Sequence, residues 1–435
     1  MNLKPMSFAT YSFVTPSRPS SGRSGTQRTS LLLCGVLLAG LLAGCQSSPV
    51  RLMPTPVSFK NGDVDPFAKL GPELQSTDVP VFYATNRLVV IEKPEPLHTI
   101  IPTDDLRLGV AHVRVGDDKL DWETLHRLST SAEPGERPIV HLESLEQIAV
   151  LKSDEAVGKS PDAKEFFAMV NKALAASPNT ELLVYVHGSN NTVPRAAAQA
   201  SQFRHFTGRR MVVLSFMWPS AGNILRYLTD VNNAAKTVDP FTRLIELLAE
   251  NTNASKIDVL AYSAGAQVSS PSLARLGVAR PGESRDALRA RLRLGQIYFA
   301  APDIDTRLFV NDLGAYIDIA DRVSVAANLN DSVLRFAAVV GRASRAGRPN
   351  LTELIKVDPN DIPDLPQSSH DFWYDDPWVS GDLLAQFLLN AAPLRRGLDP
   401  QNTDTGARYW TFPLDFSERV YRLLGAPSPA PRPAR

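Results

Sequence analysis

The chain has 435 residues, 43% of them hydrophobic, with 46 basic side chains against 46 acidic ones. That balance leaves no electrostatic footprint for nucleic acid or another polyanion.

The first 44 residues read as an export signal. They carry Lys4, Arg18, Arg23 and Arg28 but no Asp or Glu, so their removal leaves 42 basic groups against 46 acidic ones. The apolar run Leu31 to Leu42, at 12 residues, is too short to span a bilayer comfortably. It is followed by Leu42-Ala43-Gly44-Cys45, which resembles the signal of bacterial lipoproteins, whose cysteine thiol receives a diacylglycerol. Gln46, rather than Asp, follows the cysteine, and the same resemblance then implies the outer membrane, facing the periplasm. Cys34 would be lost with the signal, leaving Cys45 as the one cysteine and no intramolecular disulfide.

Residues 45–78 contain Pro49, Pro54, Pro56, Pro66 and Pro72 with little apolar periodicity, which predicts an extended tether. A folded domain is expected over 79–425 and a disordered proline-rich tail over 426–435. Within the domain, strands are predicted at Val79–Ala84, Arg107–Val115, Leu182–Val186, Met211–Phe216, Ile257–Ala261, Gln296–Ala300, Val323–Ala327 and Glu353–Val357. From Leu182 onward these runs are apolar without alternation, as in strands covered on both faces. Helical patterns at Pro194–Phe206, Pro240–Asn251, Ala264–Leu276 and Ser380–Ala391 fall between or after them. The alternation predicts an α/β fold: a mainly parallel central sheet with helices on both faces.

Ala261-Tyr262-Ser263-Ala264-Gly265 ends one strand pattern and begins a helical one. It approximates G-x-S-x-G, the strained strand-to-helix turn that exposes a nucleophilic serine above the sheet, with Ala261 in place of the first glycine. Upstream, Leu182-Leu-Val-Tyr-Val-His187-Gly188-Ser189-Asn190-Asn191 is a strand ending in a polar loop. In the alpha/beta-hydrolase fold that loop and the residue after the nucleophile each supply an oxyanion-hole N–H, here Ser189 and Ala264, each lowering the barrier by about 3 kcal/mol. His187 is read as structural, because the fold orders its triad as serine, acid, histidine. Of the seven histidines only His370 follows Ser263, which makes it the candidate base. Strand order favours Asp331 as the acid over Asp303, one strand earlier. Arg87 is read as anchoring the first strand through a carboxylate. Trp218 is read either as a wall of an acyl pocket or as core. No residue cluster has metal-ligand spacing and no phosphate loop is present, so no cofactor or metal is expected.

The ordered motifs Val81-Phe-Tyr-Ala-Thr-Asn86-Arg87, Val186-His-Gly-Ser-Asn190, Phe216-Met-Trp218-Pro219-Ser220-Ala-Gly222, the Ser263 turn, Ala300-Ala-Pro-Asp303-Ile-Asp305 and Asn328-Leu-Asn-Asp331, then His370, resemble a largely uncharacterised bacterial alpha/beta-hydrolase family. The resemblance covers about residues 79–391. Tyr262 and Ala264 depart from it, where such enzymes often carry His and Met. It implies an esterase-like, lipase-like or peptidase-like serine hydrolase acting on a small-molecule ester or acyl substrate, with an amide or thioester as alternatives, and membrane contact through lipidated Cys45. Acyl chain length and oligomeric state are not specified by the pattern. The competing expectation is a non-catalytic envelope scaffold on the same fold.

Overall fold

A computed structural model describes residues 49–425 apart from 62–63, 92–95, 134, 329–351, 368 and 405. The signal segment with Cys45, the tail over 426–435 and Asp331 lie outside the described residues.

Eleven strands form one sheet among the described residues: β1 (Val81–Ile91), β2 (Leu97–Val115), β3 (Val140–Leu151), β4 (Glu181–Val186), β5 (Val212–Phe216), β6 (Lys256–Tyr262), β7 (Leu294–Ala300), β8 (Arg322–Asn328), β9 (Thr352–Val357), β10 (Asp399–Asn402) and β11 (Arg408–Thr411). Their order is β10-β11-β9-β8-β7-β6-β4-β5-β1-β2-β3. From β1 to β11 the neighbours run parallel, and β2, β3 and β10 add antiparallel edges. In β4, β5 and β7 nearly every side chain is buried, which explains their unbroken apolar sequences.

Helices cover both faces. On one side α2 (Pro161–Ala176), α4 (Tyr227–Asn251), α5 (Gly265–Leu276), α6 (Arg285–Leu292) and α7 (Thr306–Tyr316) bury Phe166, Phe241, Leu273, Leu288 and Phe309 against the sheet. On the other, α1 (Trp122–Thr130), α3 (Val193–Phe206), the short α8 (Phe372–Asp375), α9 (Pro377–Leu389) and α10 (Phe416–Gly425) contribute Leu125, Phe203, Trp373, Leu383 and Phe416. This is the fold expected from the sequence.

Three expectations are corrected. The tether is not free from residue 49 onward: Leu52, Met53, Val57, Phe59 and Phe67 are buried in the second core. Its backbone bonds to distant partners, Leu52 N–H to Pro138 O at 2.8 Å and Val57 N–H to Pro377 O at 2.9 Å. The prolines interrupt periodicity, but the apolar residues between them pack. Secondly, β2 begins ten residues before the expected Arg107, because its polar first half, Thr99 to Asp105, pairs with the end of β1 across bulges. Thirdly, α4 starts at Tyr227 and carries Pro240 in its interior, where the proline suggested a first turn.

Candidate active site

Strand β6 lies between β4 and β7, and its parallel register brings Ala261 beside Val186 and Phe299. At its end Ser263 takes a left-handed backbone conformation, φ 51°, which costs an L-residue about 1–2 kcal/mol. Two backbone bonds hold it there: Ser263 N–H to Ala300 O, 2.9 Å, and Asp303 N–H to Ser263 O, 3.1 Å. The next residue, Ala264, returns to the right-handed region and α5 begins without a capping side chain. Gly265 makes this possible, since a Cβ there would lie 2.5 Å from Val186 O and 2.8 Å from His187 O. Ala261 sits in the core with room for its methyl group. The glycine that the turn needs is therefore the last of the five residues, and it is present.

Ser263 is almost wholly buried, and its Oγ lies 2.8 Å from His370 Nε2. His370 stands in the exposed loop between β9 and α8, and Asn328 at the end of β8 ties that loop down through Gln367 O at 3.2 Å and Ser369 O at 3.3 Å. The imidazole packs on the ring of Tyr262, centroids 5.5 Å apart. The Tyr262 hydroxyl in turn donates to the carboxylate of Asp371, the residue after the histidine. Burial, with Asp371 nearby, raises the pKa of the Tyr374 phenol, and Arg195 Nη2 donates to the Tyr374 hydroxyl at 3.2 Å. The neighbours of serine and histidine are thus joined to each other. Burial, with Asp371 beside it, holds the Tyr262 phenol protonated by raising its pKa well above the ordinary value.

Of the candidate acids, Asp331 lies outside the described residues. Asp303 is close to the turn, but its Oδ2 accepts from the Tyr227 hydroxyl at 2.8 Å. Among the described residues no carboxylate bonds to His370 Nδ1.

The loop after β4 presses on Ser263: a Cβ on Gly188 would stand 2.9 Å from Ser263 Cβ. The N–H groups of Ser189 and Ala264 donate to no acceptor among the described residues. His187 is fully buried, stacks on Trp218 with centroids 5.2 Å apart, and bonds through Nδ1 to Gly188 O at 2.8 Å. Burial, reinforced by Arg87, pushes its pKa down to about 3, so it is neutral and structural. Trp218 is core, donating from Nε1 to His187 O at 2.6 Å.

Sequence reasoning missed the residue that ties these loops together. Asp230, in the first turn of α4 and buried, accepts from Asn190 N–H (3.0 Å), Ser220 Oγ–H (2.9 Å) and Ala221 N–H (2.6 Å). Ser220 Oγ also accepts from Asn191 N–H at 3.1 Å, closing the link between the loops after β4 and β5. Arg87 has a different role from the one expected. Its guanidinium donates to the carbonyls of Met217, Trp218, Ser220 and Thr99, fixing the loop after β5 rather than pairing with a carboxylate. Burial lowers its pKa to about 10, and nearby Asp230 works against that fall.

Residues 162–358 match the model of a family described as alpha/beta hydrolase of unknown function (DUF900). The match runs from α2 through β9 and includes the motifs at 186–190, 216–222, 263 and 300–305, with 81–87 and His370 outside it. No curated protein and no solved structure matches the chain.

Proposed function

Taking this hydrolase core as the premise, we propose that the protein is a serine hydrolase that cleaves an ester through an acyl-enzyme intermediate. The observation that carries the reading is the 2.8 Å approach of His370 Nε2 to the hydroxyl of a serine held in a left-handed turn. His370 takes the proton as Ser263 Oγ bonds to the carbonyl carbon, and the resulting oxyanion is received by the N–H groups of Ser189 and Ala264. The imidazolium then protonates the departing alkoxide as the ester C–O bond breaks. Water, deprotonated by His370, attacks the acyl-enzyme and releases the acid and free Ser263.

Asp331 is the proposed acid, holding the Nδ1 proton and stabilising the imidazolium. Asn328 already grips the His370 loop. No helix among the described residues is long and apolar enough to cross a membrane. Attachment to the outer membrane through acylated Cys45 is proposed from the sequence alone.

Hydrolysis of a p-nitrophenyl ester series from acetate to palmitate tests the reading. Ser263→Ala should lower turnover by about 10⁴-fold or more while the melting curve hardly moves. Activity retained by that variant would remove Ser263 from the mechanism.

A further inference from the structure

The parallel strands place Ser263 at their carboxyl ends. At the opposite rim, around the start of β1 and β5, lies a second cavity of about 480 Å³. Leu74, Phe82, Met169 and Met211 give it apolar walls. Four cations also line it, Lys172, Arg204, Arg209 and Arg210, and no carboxylate does. Such a concentration is unexpected in a chain with equal numbers of acidic and basic groups.

The cations differ in how they are held. Arg209 is 6% exposed, with its terminal nitrogens on the carbonyls of Leu74, Ser76 and Asp78, while its Nε is buried without a partner. Arg204 donates to Pro80 O at 2.7 Å. Burial pulls the pKa of Arg209 down to about 9 and that of Arg204 to about 10, the mark of guanidinium groups stabilised by dipoles rather than by a bonded carboxylate. Lys172 and Arg210 are exposed at the mouth and form no ion pair among the described residues. An apolar hollow rimmed by unneutralised positive charge is complementary to a molecule with one anionic end and one hydrocarbon end.

We propose that this cavity binds a single-chain anionic amphiphile, its head between Lys172, Arg210 and Arg204 and its chain along Leu74, Phe82, Met169 and Met211. The site is separate from Ser263 and does not depend on the catalytic reading. Its volume lies within the range of roughly 300–1,000 Å³ usual for small-molecule sites. A fatty-acid carboxylate and a lipid phosphate share this chemistry, and both are tested.

Calorimetric titration of the full chain with decanoate, decyl phosphate and decanol, each below its aggregation threshold, decides the matter. One saturable site is expected for an anionic ligand, with decanol about 10-fold weaker or worse, the equivalent of losing one charge-assisted contact. Whichever anion binds tighter identifies the headgroup. The double variant Lys172→Gln/Arg210→Gln should weaken anion binding about 10-fold or more. Ala173→Phe, which places a ring in the cavity from α2 without changing charge, should block anion and alcohol alike. Both variants should keep the hydrolytic rate of the wild type. Decanol binding as tightly as the anions, anion binding unchanged in both variants, or no binding at all would overturn the proposal.

Discussion

The link between Tyr262 and Asp371 places a hydrogen bond where a mutation can reach His370, the proposed base, without touching Ser263. In Tyr262→Phe the ring that packs on His370 remains, and only the hydroxyl that donates to Asp371 is lost. A hydrogen bond to a charged group contributes about 1.5–3 kcal/mol, and Asp371 is only half-buried, so water can replace the lost donor and the low end applies. If that energy holds the imidazole over Ser263, about 1.4 kcal/mol becomes a tenfold fall in kcat. KM should stay within about twofold, because none of the groups that receive the substrate has moved. Steady-state kinetics on p-nitrophenyl butyrate measures both constants. A normal kcat alongside a lowered melting temperature would mean that the bond only stabilises the fold, and the positioning argument would be wrong.

Two further substitutions probe the scaffold. Gly265→Ala forces a methyl group to within 2.5 Å of Val186 O and 2.8 Å of His187 O, so α5 must retreat from β4. Overpacking of this kind costs about 1–3 kcal/mol, and turnover should fall far more than stability since the serine and the Ser189 loop both shift; wild-type activity in this variant would show the close approach to be dispensable. Asp258 is buried in β6 with one oxygen on Gln296 N–H at 2.6 Å and the other without a partner, and burial pushes its pKa up to about 8. The folded state therefore holds a proton that the unfolded chain releases near pH 4, and the protein loses stability as pH rises from about 4 to about 8. Asp258→Asn carries no such proton, so its stability relative to wild type, followed by urea denaturation, should increase across that window by at most about 1.4 kcal/mol per pH unit. Parallel profiles for the two proteins would contradict the assignment.

What the sequence disclosed and what it hid follow from how each residue finds its partners. Strands β4 to β9 are legible to within a residue or two because burial on both faces leaves unbroken apolar runs between turn residues. Strand β3 escaped notice because it is antiparallel with one wet side, and Glu143 and Glu146 interrupt its pattern. The packed segment from Val50 to Phe67 looked like a spacer because its prolines were weighed more heavily than the apolar residues between them. At the site, the required order of nucleophile and base singled out His370 without any knowledge of distance. Asp230 and Asp371 were illegible: an acid at a helix start reads as a cap, and their actual partners come from other loops. Arg87 was recognised as important, but nothing in its neighbourhood along the chain reveals that three of its four acceptor carbonyls lie more than a hundred residues away.

The proposed mechanism requires Ser263 to be an activated nucleophile and His370 to activate it. Treatment of the folded protein with a fluorophosphonate, followed by mass spectrometry of its peptides, measures this directly. A single adduct is expected on the peptide containing Ser263, forming at least about a hundredfold more slowly in His370→Ala. An adduct on another residue, or one at Ser263 that forms equally fast without the imidazole, would contradict it.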